Sequence, residues 1–386
     1  MKILFPYLAR WRSANRSRYH QLLTHLSRFG HEVFVLKAPP MALDDISARD
    51  VATDRFPQPE RLHLSELHAP RALRGFWRIP IPRTKVLKKG LLSISSVSQV
   101  RHFVDREKID VLLLYNLPQV ILLEGVECRR HFDLADDLVA MMGIEHKLVS
   151  RLGGLAAAKA AQQRLLDRSH TVTVASSVLA EQITRDNLLL PNGADVIELD
   201  QADGSAWRSL GRGPTVGFVG AFEYWIDFEL VLALAKRLPR LTFLLIGGGR
   251  RWIQVRELVR RQALTNIHLT GPVAYHEAMN YVAGADVCLL PFTRDAVSDG
   301  SCPLKLFEYA ALRRPIVSTR TREVERIGKG WIAFADDVAT AADAIESLLA
   351  DSSAKRHAVE AGRALVEDRY NWPALAMEFA EYVSSP

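Results

Sequence analysis

The sequence GSCPLKLFEYAALRRPIVS, residues 300–318, decides the fold, because it places an amphipathic helix directly before a short apolar strand. Pro303 suits the first position of a helix, where its missing N–H would have no partner in any case. The apolar stripe that this helix would bury is formed by Leu304, Phe307 and Ala311. Ile316, Val317 and Ser318 then predict a buried strand. A helix that leads into such a strand is typical of parallel α/β sheets.

The same helix carries Lys305 and Glu308 three positions apart, on a face that the apolar stripe leaves open. A helix start attracts phosphate through its unpaired N–H groups and partial positive charge, and Lys305 adds a full charge. Glu308, one turn deeper, can accept hydrogen bonds from hydroxyl groups. The pattern predicts a site for a sugar nucleotide, with Lys305 on the diphosphate and Glu308 on the ribose. The alternative is an ordinary helix with a solvated Lys–Glu pair.

Strand and helix patterns alternate along the whole chain, which predicts two doubly wound parallel sheets. Predicted strands are 2–5, 32–36, 110–115 and 171–174 in the first half, and 215–219, 242–246, 267–269, 287–290 and 316–318 in the second. Pro191-Asn192-Gly193 breaks the pattern and predicts a boundary between domains at 1–190 and 191–368. Residues 369–386 would form a helix that crosses back to the first domain. The proline-rich segment 39–90 is predicted as irregular loops with short helices, and 147–168 as a helix.

Composition is that of a globular protein with two cores, since 48% of the 386 residues are hydrophobic. Three cysteines far apart give no metal-ligand spacing and favour a reducing compartment. No run approaches the length of a membrane helix. We therefore expect a cytoplasmic protein without cofactor or metal.

Charge is uneven: residues 1–190 hold 28 Lys and Arg against 19 Asp and Glu, whereas residues 191–386 hold 22 against 25. Residues 70–90 hold seven basic residues, no acid and several apolar ones. This mixture fits an anionic membrane surface or a phosphate-bearing acceptor, and a solvated basic loop is the alternative. No nucleic-acid motif accompanies the charge.

Three carboxylates, Asp133, Asp136 and Asp137, end a predicted strand of the basic first half. Their mutual repulsion would raise at least one pKa towards that of a general base. A helix cap and a divalent-metal site are the alternatives. The loop after the first strand is rich in hydrogen-bond donors, among them Arg12, Ser13, Arg16 and His20, and it would face a ligand at the carboxyl end of the sheet.

Residues 302–319 resemble the donor-binding signature of glycosyltransferases with the GT-B fold, in which two such domains face a central cleft. PNGAD at 191–195, GFVGAF at 217–222 and LLIGGG at 244–249 match the same fold. Relative to family-four glycosyltransferases, Gly300 stands where a first Glu is usual, and no Arg or Lys follows Gly220. The first domain is similar to the inverting glucuronosyltransferase family of xanthan assembly, whose catalytic aspartate falls on Asp136.

The resemblance implies roles for individual residues. Donor-binding residues would be Lys305, Glu308, Leu304, Ser301, Gly220, Gly247, Gly248, Val273 and Phe292. Asp136 would be the base, and Asp137 would join the loop residues Arg12, Ser13, Arg16 and His20 in the acceptor site. Arg294 is the residue to test if the sugar is an acid.

The implied function is a metal-independent glycosyltransferase that moves a sugar from a nucleoside diphosphate to an acceptor hydroxyl. Its acceptor would be a lipid-linked or cell-surface glycan precursor, its stereochemistry inverting, and its place cytoplasmic or peripheral at the inner face of the cell membrane. One alternative is a nucleotide-sugar epimerase on the same fold. Another is a catalytically silent nucleotide-binding subunit of a glycan-assembly complex.

Overall fold

The computed structural model describes residues 1–9, 11, 16–39, 58–73, 85–146, 149–209, 213–350 and 353–385. It divides into two compact units, each built on its own parallel sheet. The first unit takes in the described residues up to Pro191 and the C-terminal segment from Leu375. The second runs from Asn192 to Ala374.

The sheet of the first unit has seven strands among the described residues, in the order β3-β2-β1-β4-β5-β6-β7. The strands are β1 (Lys2–Tyr7), β2 (Glu32–Lys37), β3 (Leu62–Glu66), β4 (Val111–Leu114), β5 (Arg129–Leu134), β6 (Thr171–Val174) and β7 (Leu188–Leu189). The helices are α1 (Arg18–Arg28), α2 (Lys85–Glu107), α3 (Leu138–Glu145), α4 (Leu155–Arg168) and α5 (Ser177–Ala180), with a 3₁₀ segment at Leu117–Leu123.

The sheet of the second unit has six strands among the described residues, in the order β10-β9-β8-β11-β12-β13. They are β8 (Thr215–Val219), β9 (Thr242–Ile246), β10 (Ile267–Gly271), β11 (Val287–Leu290), β12 (Ile316–Ser318) and β13 (Ala333–Phe334). The helices are α6 (Val196–Leu199), α7 (Ser205–Arg208), α8 (Phe228–Arg237), α9 (Trp252–Arg261), α10 (Tyr275–Gly284), α11 (Ala296–Asp299), α12 (Leu304–Ala311), α13 (Arg322–Gly328), α14 (Val338–Leu349) and α15 (Ser353–Arg369), and α16 (Trp372–Ser384) closes the chain.

Central strands of both sheets are apolar on both faces because helices cover both sides. Every residue of β4, β6, β8 and β11 is buried. The predicted strands 171–174, 215–219, 242–246, 287–290 and 316–318 have the bounds observed. Continuous apolar runs between turn residues are therefore a dependable signal in this chain.

Two predicted segments are wrong in part. The segment 39–90 contains β3, which pairs with β2 from Leu62 to Glu66, and it also contains the start of the long helix α2. The helix predicted at 147–168 is interrupted by a π segment, Ser150–Gly154, in which Gly153 has a φ of 94°. Apolar periodicity continues through this kink, so the pattern alone does not reveal it.

The helix that decides the fold forms as α12, with one correction. Pro303 is its N-cap, with extended backbone angles, and Leu304 is the first helical residue. Leu304 is half-buried, whereas every residue from Leu306 to Ala311 is buried. The helix therefore buries more than the single stripe predicted from Leu304, Phe307 and Ala311.

Candidate active site

The predicted donor residues follow neighbouring strands of the second sheet. Gly220 comes after β8, Gly247 and Gly248 after β9, Val273 after β10 and Phe292 after β11. These strands are parallel and adjacent, so their carboxyl ends meet at one edge of the sheet. Open α/β sheets bind ligands at this edge. The structure thus brings these residues to the edge where a ligand is expected.

Two glycine loops at this edge pack backbone against backbone. Gly247 has a φ of 125°, and a Cβ atom placed on it would lie 2.1 Å from the carbonyl oxygen of Gly220. The Gly247 N–H donates to the carbonyl oxygen of Gly271 at 3.0 Å, and Gly248 accepts from the Phe222 N–H at 2.9 Å. Only glycine permits both the positive φ and this close approach. The missing side chain of Gly247 therefore lets the two loops pack directly against each other at this edge.

Helix α12 is held against the same edge at both of its ends. Val219, the last residue of β8, donates its N–H to the Tyr309 hydroxyl at 2.9 Å. Before the helix, the Asn192 amide donates to the carbonyl oxygen of Cys302 at 2.5 Å. The bond from Val219 places Tyr309 of α12 beside the end of β8, and the bond from Asn192 holds the residue before the N-cap.

Lys305 and Glu308 form a close pair on α12. Lys305 Nζ lies 2.6 Å from Glu308 Oε2, and the Tyr275 hydroxyl donates to Oε1 at 3.1 Å. Glu308 is 2% exposed and the Lys305 side chain 26% exposed, so the pair is not the solvated one of the alternative interpretation. Lys305 Nζ also lies 5.7 Å from the centre of the Tyr275 ring. Sequence reasoning missed Tyr275, because nothing in its local pattern links it to residue 308.

A second cation lies at the glycine loops. Arg250 pairs with Glu223, and its guanidinium carbon lies 5.3 Å from the centre of the Tyr224 ring. The sequence showed no Arg or Lys directly after Gly220, and it missed that an arginine from the next loop reaches that segment. The two loops are close because Gly249 has no side chain: a Cβ there would lie 2.8 Å from the Phe222 carbonyl oxygen.

The structure also describes the surroundings of Ser301, Phe292 and Arg294. Ser301 and Phe292 are half-buried, and Phe292 forms an isolated bridge with Ile226 of the loop after β8. Arg294, the candidate for an acidic sugar, is 60% exposed and lies 3.7 Å from Asp336.

In the first unit, Asp133 is the buried partner of Arg18. Arg18 Nε and Nη2 donate to the two carboxylate oxygens, each at 2.8 Å, and Thr173 donates to Oδ1 at 2.6 Å. Burial alone would raise the pKa of Asp133, but the Arg18 charge and these hydrogen bonds hold it below its ordinary value. Asp133 is therefore a structural carboxylate, and its partner, 115 positions away in sequence, was not predicted.

The surroundings of Asp136 shift its pKa in the direction opposite to that of Asp133. Its side chain keeps solvent access, yet enough protein surrounds it to disfavour the charged form and raise its pKa. The charges of Asp133 and Asp137 raise the pKa further, while Arg18 and Lys89 oppose the shift. A solvent-accessible carboxylate with a raised pKa is suited to take up a proton.

Asp137 caps helix α3. Its Oδ1 accepts from the Ala140 N–H at 2.8 Å, so for this residue the cap interpretation is confirmed. In the described ranges, no three His, Cys, Asp or Glu side chains are grouped closely enough to share a metal ion. The three carboxylates thus have separate surroundings: Asp133 is paired, Asp136 is accessible and Asp137 is a cap.

Of the predicted acceptor loop, Arg12 and Ser13 lie outside the described residues. Arg16 and His20 are both buried at the start of α1, after the carboxyl end of β1. His20 Nδ1 lies 2.8 Å from the Ser17 hydroxyl, and its ring stacks on Trp11 at 4.0 Å. Both side chains belong to the packed start of the helix.

The basic segment 70–90 is described only in part, as residues 70–73 and 85–90. Lys88 is 3% exposed, and burial lowers its pKa, so this lysine belongs to the interior of the unit and not to a surface for lipid. Leu87 beside it is 55% exposed. Within the ranges that the structure covers, no helix combines the length and the apolar character that crossing a membrane requires.

Comparison with known proteins identifies the second unit. Residues 213–351 match the family model described as glycosyl transferases group 1. This part of the second unit is similar to a group 1 glycosyltransferase domain. This domain contains the glycine loops, the Tyr275–Glu308–Lys305 cluster and all the predicted donor residues.

Similar proteins extend this result. The putative teichuronic acid biosynthesis glycosyltransferase TuaH of Bacillus subtilis is 28% identical over 187 residues, which cover 45% of this chain and 46% of that relative. The matched segment thus spans about half the length of the relative. Sucrose-phosphate synthase from Thermosynechococcus elongatus has 16% identity and a TM-score of 0.78, over 98% of this chain and 97% of that one. Anabaena HepE, solved in complex with UDP and glucose, has 14% identity and a TM-score of 0.68 over the full length of both chains. The chain therefore has the GT-B fold.

Proposed function

We propose that this chain is a glycosyltransferase that moves a sugar from a nucleoside diphosphate donor to a hydroxyl group of a cell-surface polysaccharide or glycolipid precursor. The observation that carries the proposal is the cluster at the carboxyl edge of the second sheet, where Lys305 and Glu308 lie at the start of α12 beside the bare glycine loops. The group 1 domain supports the reaction class. The name of the relative TuaH supports the polysaccharide context.

In this proposal the second unit binds the donor. The first turn of α12 and Lys305 stabilise the diphosphate as it leaves with an additional negative charge. Glu308 accepts hydrogen bonds from the ribose hydroxyls, and the backbone of the loop at Val273 contacts the base. Because these groups already supply positive charge at the leaving diphosphate, we propose that no metal ion is required.

The first unit supplies the base. The acceptor oxygen bonds to the anomeric carbon while the bond from that carbon to the diphosphate oxygen breaks. The acceptor proton passes to the Asp136 carboxylate, and attack on the face opposite the leaving group inverts the configuration. The raised pKa of Asp136 brings its basicity closer to what this transfer needs. A general base contributes about 10²- to 10⁴-fold, so positioning and charge stabilisation supply the remainder of the rate.

The charge of the first half of the chain supports the proposed acceptor and its location. The excess of basic residues in 1–190 is consistent with a phosphate-bearing, lipid-linked acceptor at the inner face of the cell membrane. The buried Lys88 takes no part in this surface.

Calorimetry with UDP, GDP, CDP and TDP tests the donor site first. One nucleoside diphosphate should bind the wild-type protein, and Lys305→Ala should lose roughly 1.5–3 kcal/mol of that binding free energy. Lys236→Ala is the matched control, since Lys236 is an exposed lysine in the last turn of α8 in the same unit. Failure of all four nucleotides to bind, or equal losses in the two variants, would refute the donor site.

Product analysis tests the reaction. The purified protein with a UDP-sugar and a lipid-linked glycan acceptor should release the nucleoside diphosphate and form a glycoside of inverted configuration, with EDTA present. An epimerised donor formed without acceptor would indicate the epimerase alternative. Nucleotide binding without any turnover would indicate a silent subunit.

A further inference from the structure

Tyr275 contacts both charged members of the donor cluster, Lys305 and Glu308. Its hydroxyl donates to Glu308 Oε1 at 3.1 Å, and its ring centre lies 5.7 Å from Lys305 Nζ. Tyr275 is the first residue of α10 and is 7% exposed. It follows directly on the loop after β10, so it enters the cluster from a different strand than α12 does.

Each oxygen of the Glu308 carboxylate accepts a hydrogen bond from a different side chain. Tyr275 bonds to Oε1 and Lys305 bonds to Oε2. A carboxylate accepts about four hydrogen bonds. One bond on each oxygen from the described residues fixes the plane of the group, and about two acceptor positions then remain for a ligand. Two free positions in a fixed plane match two adjacent hydroxyl groups.

The two partners differ in what a diphosphate does to them. Lys305 is a flexible cation that a phosphate attracts, so donor binding weakens its hold on Oε2. The Tyr275 hydroxyl is neutral and is carried on a buried ring, so it keeps its bond to Oε1. Tyr275 therefore holds Glu308 in place at the moment when Lys305 turns to the phosphates.

We propose that Tyr275 is a positioning residue of the donor site, which orients Glu308 towards a diol and so makes the site selective for ribonucleoside diphosphates. This inference rests on the proposed function and adds a positioning residue to its donor site. Tyr275 acts through Glu308, whereas Lys305 and the start of α12 bind the diphosphate itself.

The test is calorimetry with UDP and 2′,3′-dideoxy-UDP on Tyr275→Phe, which keeps the ring and removes only the hydroxyl. A hydrogen bond to a charged group corresponds to a roughly tenfold or larger effect. UDP should bind about tenfold more weakly, while 2′,3′-dideoxy-UDP and inorganic pyrophosphate should change less than about twofold. Tyr281→Phe is the matched control, since Tyr281 lies on the same helix and its hydroxyl donates to Glu277 at 3.3 Å. It should bind all three ligands as the wild type does.

A double variant separates positioning from a general structural effect. Glu308→Gln should lose the preference for UDP, and adding Tyr275→Phe to it should cause little further loss, because the hydroxyl acts through the carboxylate. Equal weakening of UDP, the dideoxy analogue and pyrophosphate in Tyr275→Phe would overturn the inference, as would an unchanged preference for UDP. In either case the proposed function would stand, since the wild type would still bind a nucleoside diphosphate. A wild type that bound none would overturn both.

Discussion

Replacing Arg18 with methionine should destabilise the first unit by about 3–5 kcal/mol at neutral pH. Arg18 donates to both oxygens of Asp133, and its Nη1 also donates to the carbonyl oxygen of Pro191 at 3.1 Å. The two paired side chains are 4% and 0% exposed. Methionine fills the space of the arginine stem but leaves a buried carboxylate that has lost its paired positive charge, although Thr173 still donates to it.

The size of this effect should depend on pH. In the wild type the pKa of Asp133 is lowered, so its contribution to stability is complete above the pKa of the unfolded chain, about 4, and is lost as pH falls through the folded value. In Arg18→Met, burial without the arginine raises the pKa of Asp133. The folded variant then takes up a proton as pH falls through that raised value. The difference from the wild type should therefore be largest at neutral pH and smaller near pH 5.

Hydrogen exchange followed by mass spectrometry in increasing urea measures the free energy of unfolding of each unit separately. Peptides from α1 and β5 report on the first unit, and those from β8 should not change. Arg61→Met is the control, because Arg61 pairs with Glu32 at the surface of the same unit and its loss should be undetectable. A loss below about 1 kcal/mol in Arg18→Met, or a loss that is equal at pH 5 and pH 7, would refute the assignment of Asp133 as a buried charged partner.

Three further predictions concern the proposed reaction. Asp136→Asn should lower kcat about 10²- to 10⁴-fold and leave nucleotide binding within twofold of wild type, measured by initial rates and calorimetry; a kcat within tenfold of wild type would exclude Asp136 as the base. Because the pKa of Asp136 is raised, kcat/KM should fall as pH drops through a value above the ordinary carboxyl range, as the base becomes protonated; a rate that is flat down to pH 4 would contradict this. Gly247→Ala should abolish nucleotide binding while hydrogen exchange in the first unit stays unchanged, because its Cβ would collide with the Gly220 carbonyl oxygen; retained binding would show that the loop relaxes without cost.

The fold was predictable because its central strands are continuous apolar runs. Strands such as Thr215–Val219 and Val287–Leu290 are buried along their whole length, and turn residues bound them. The prediction for residues 39–90 was wrong for the opposite reason. Strand β3, with the sequence LHLSE, lies at the edge of the sheet and is mostly exposed, so its residues do not carry an apolar signal.

The candidate site was predictable where its residues are neighbours in sequence. Lys305 and Glu308 are three positions apart on a helix, and helical geometry alone brings them together. Tyr275 with Glu308, and Arg18 with Asp133, are contacts between elements far apart in sequence. Local periodicity contains no information on such pairs. The three-carboxylate cluster was likewise interpreted as one group, whereas the long-range partner Arg18 removes Asp133 from it.

The backbone contact between Gly220 and Gly247 also limits how donor preference can be altered. Gly247 does not accept a side chain, so no substitution library at this position can add a new contact to a different base or sugar. New contacts to the donor have to come from positions that already carry side chains, such as residues 292–299. An engineering effort that randomised those positions and left both glycine loops intact would sample new specificities without disrupting the proposed phosphate site.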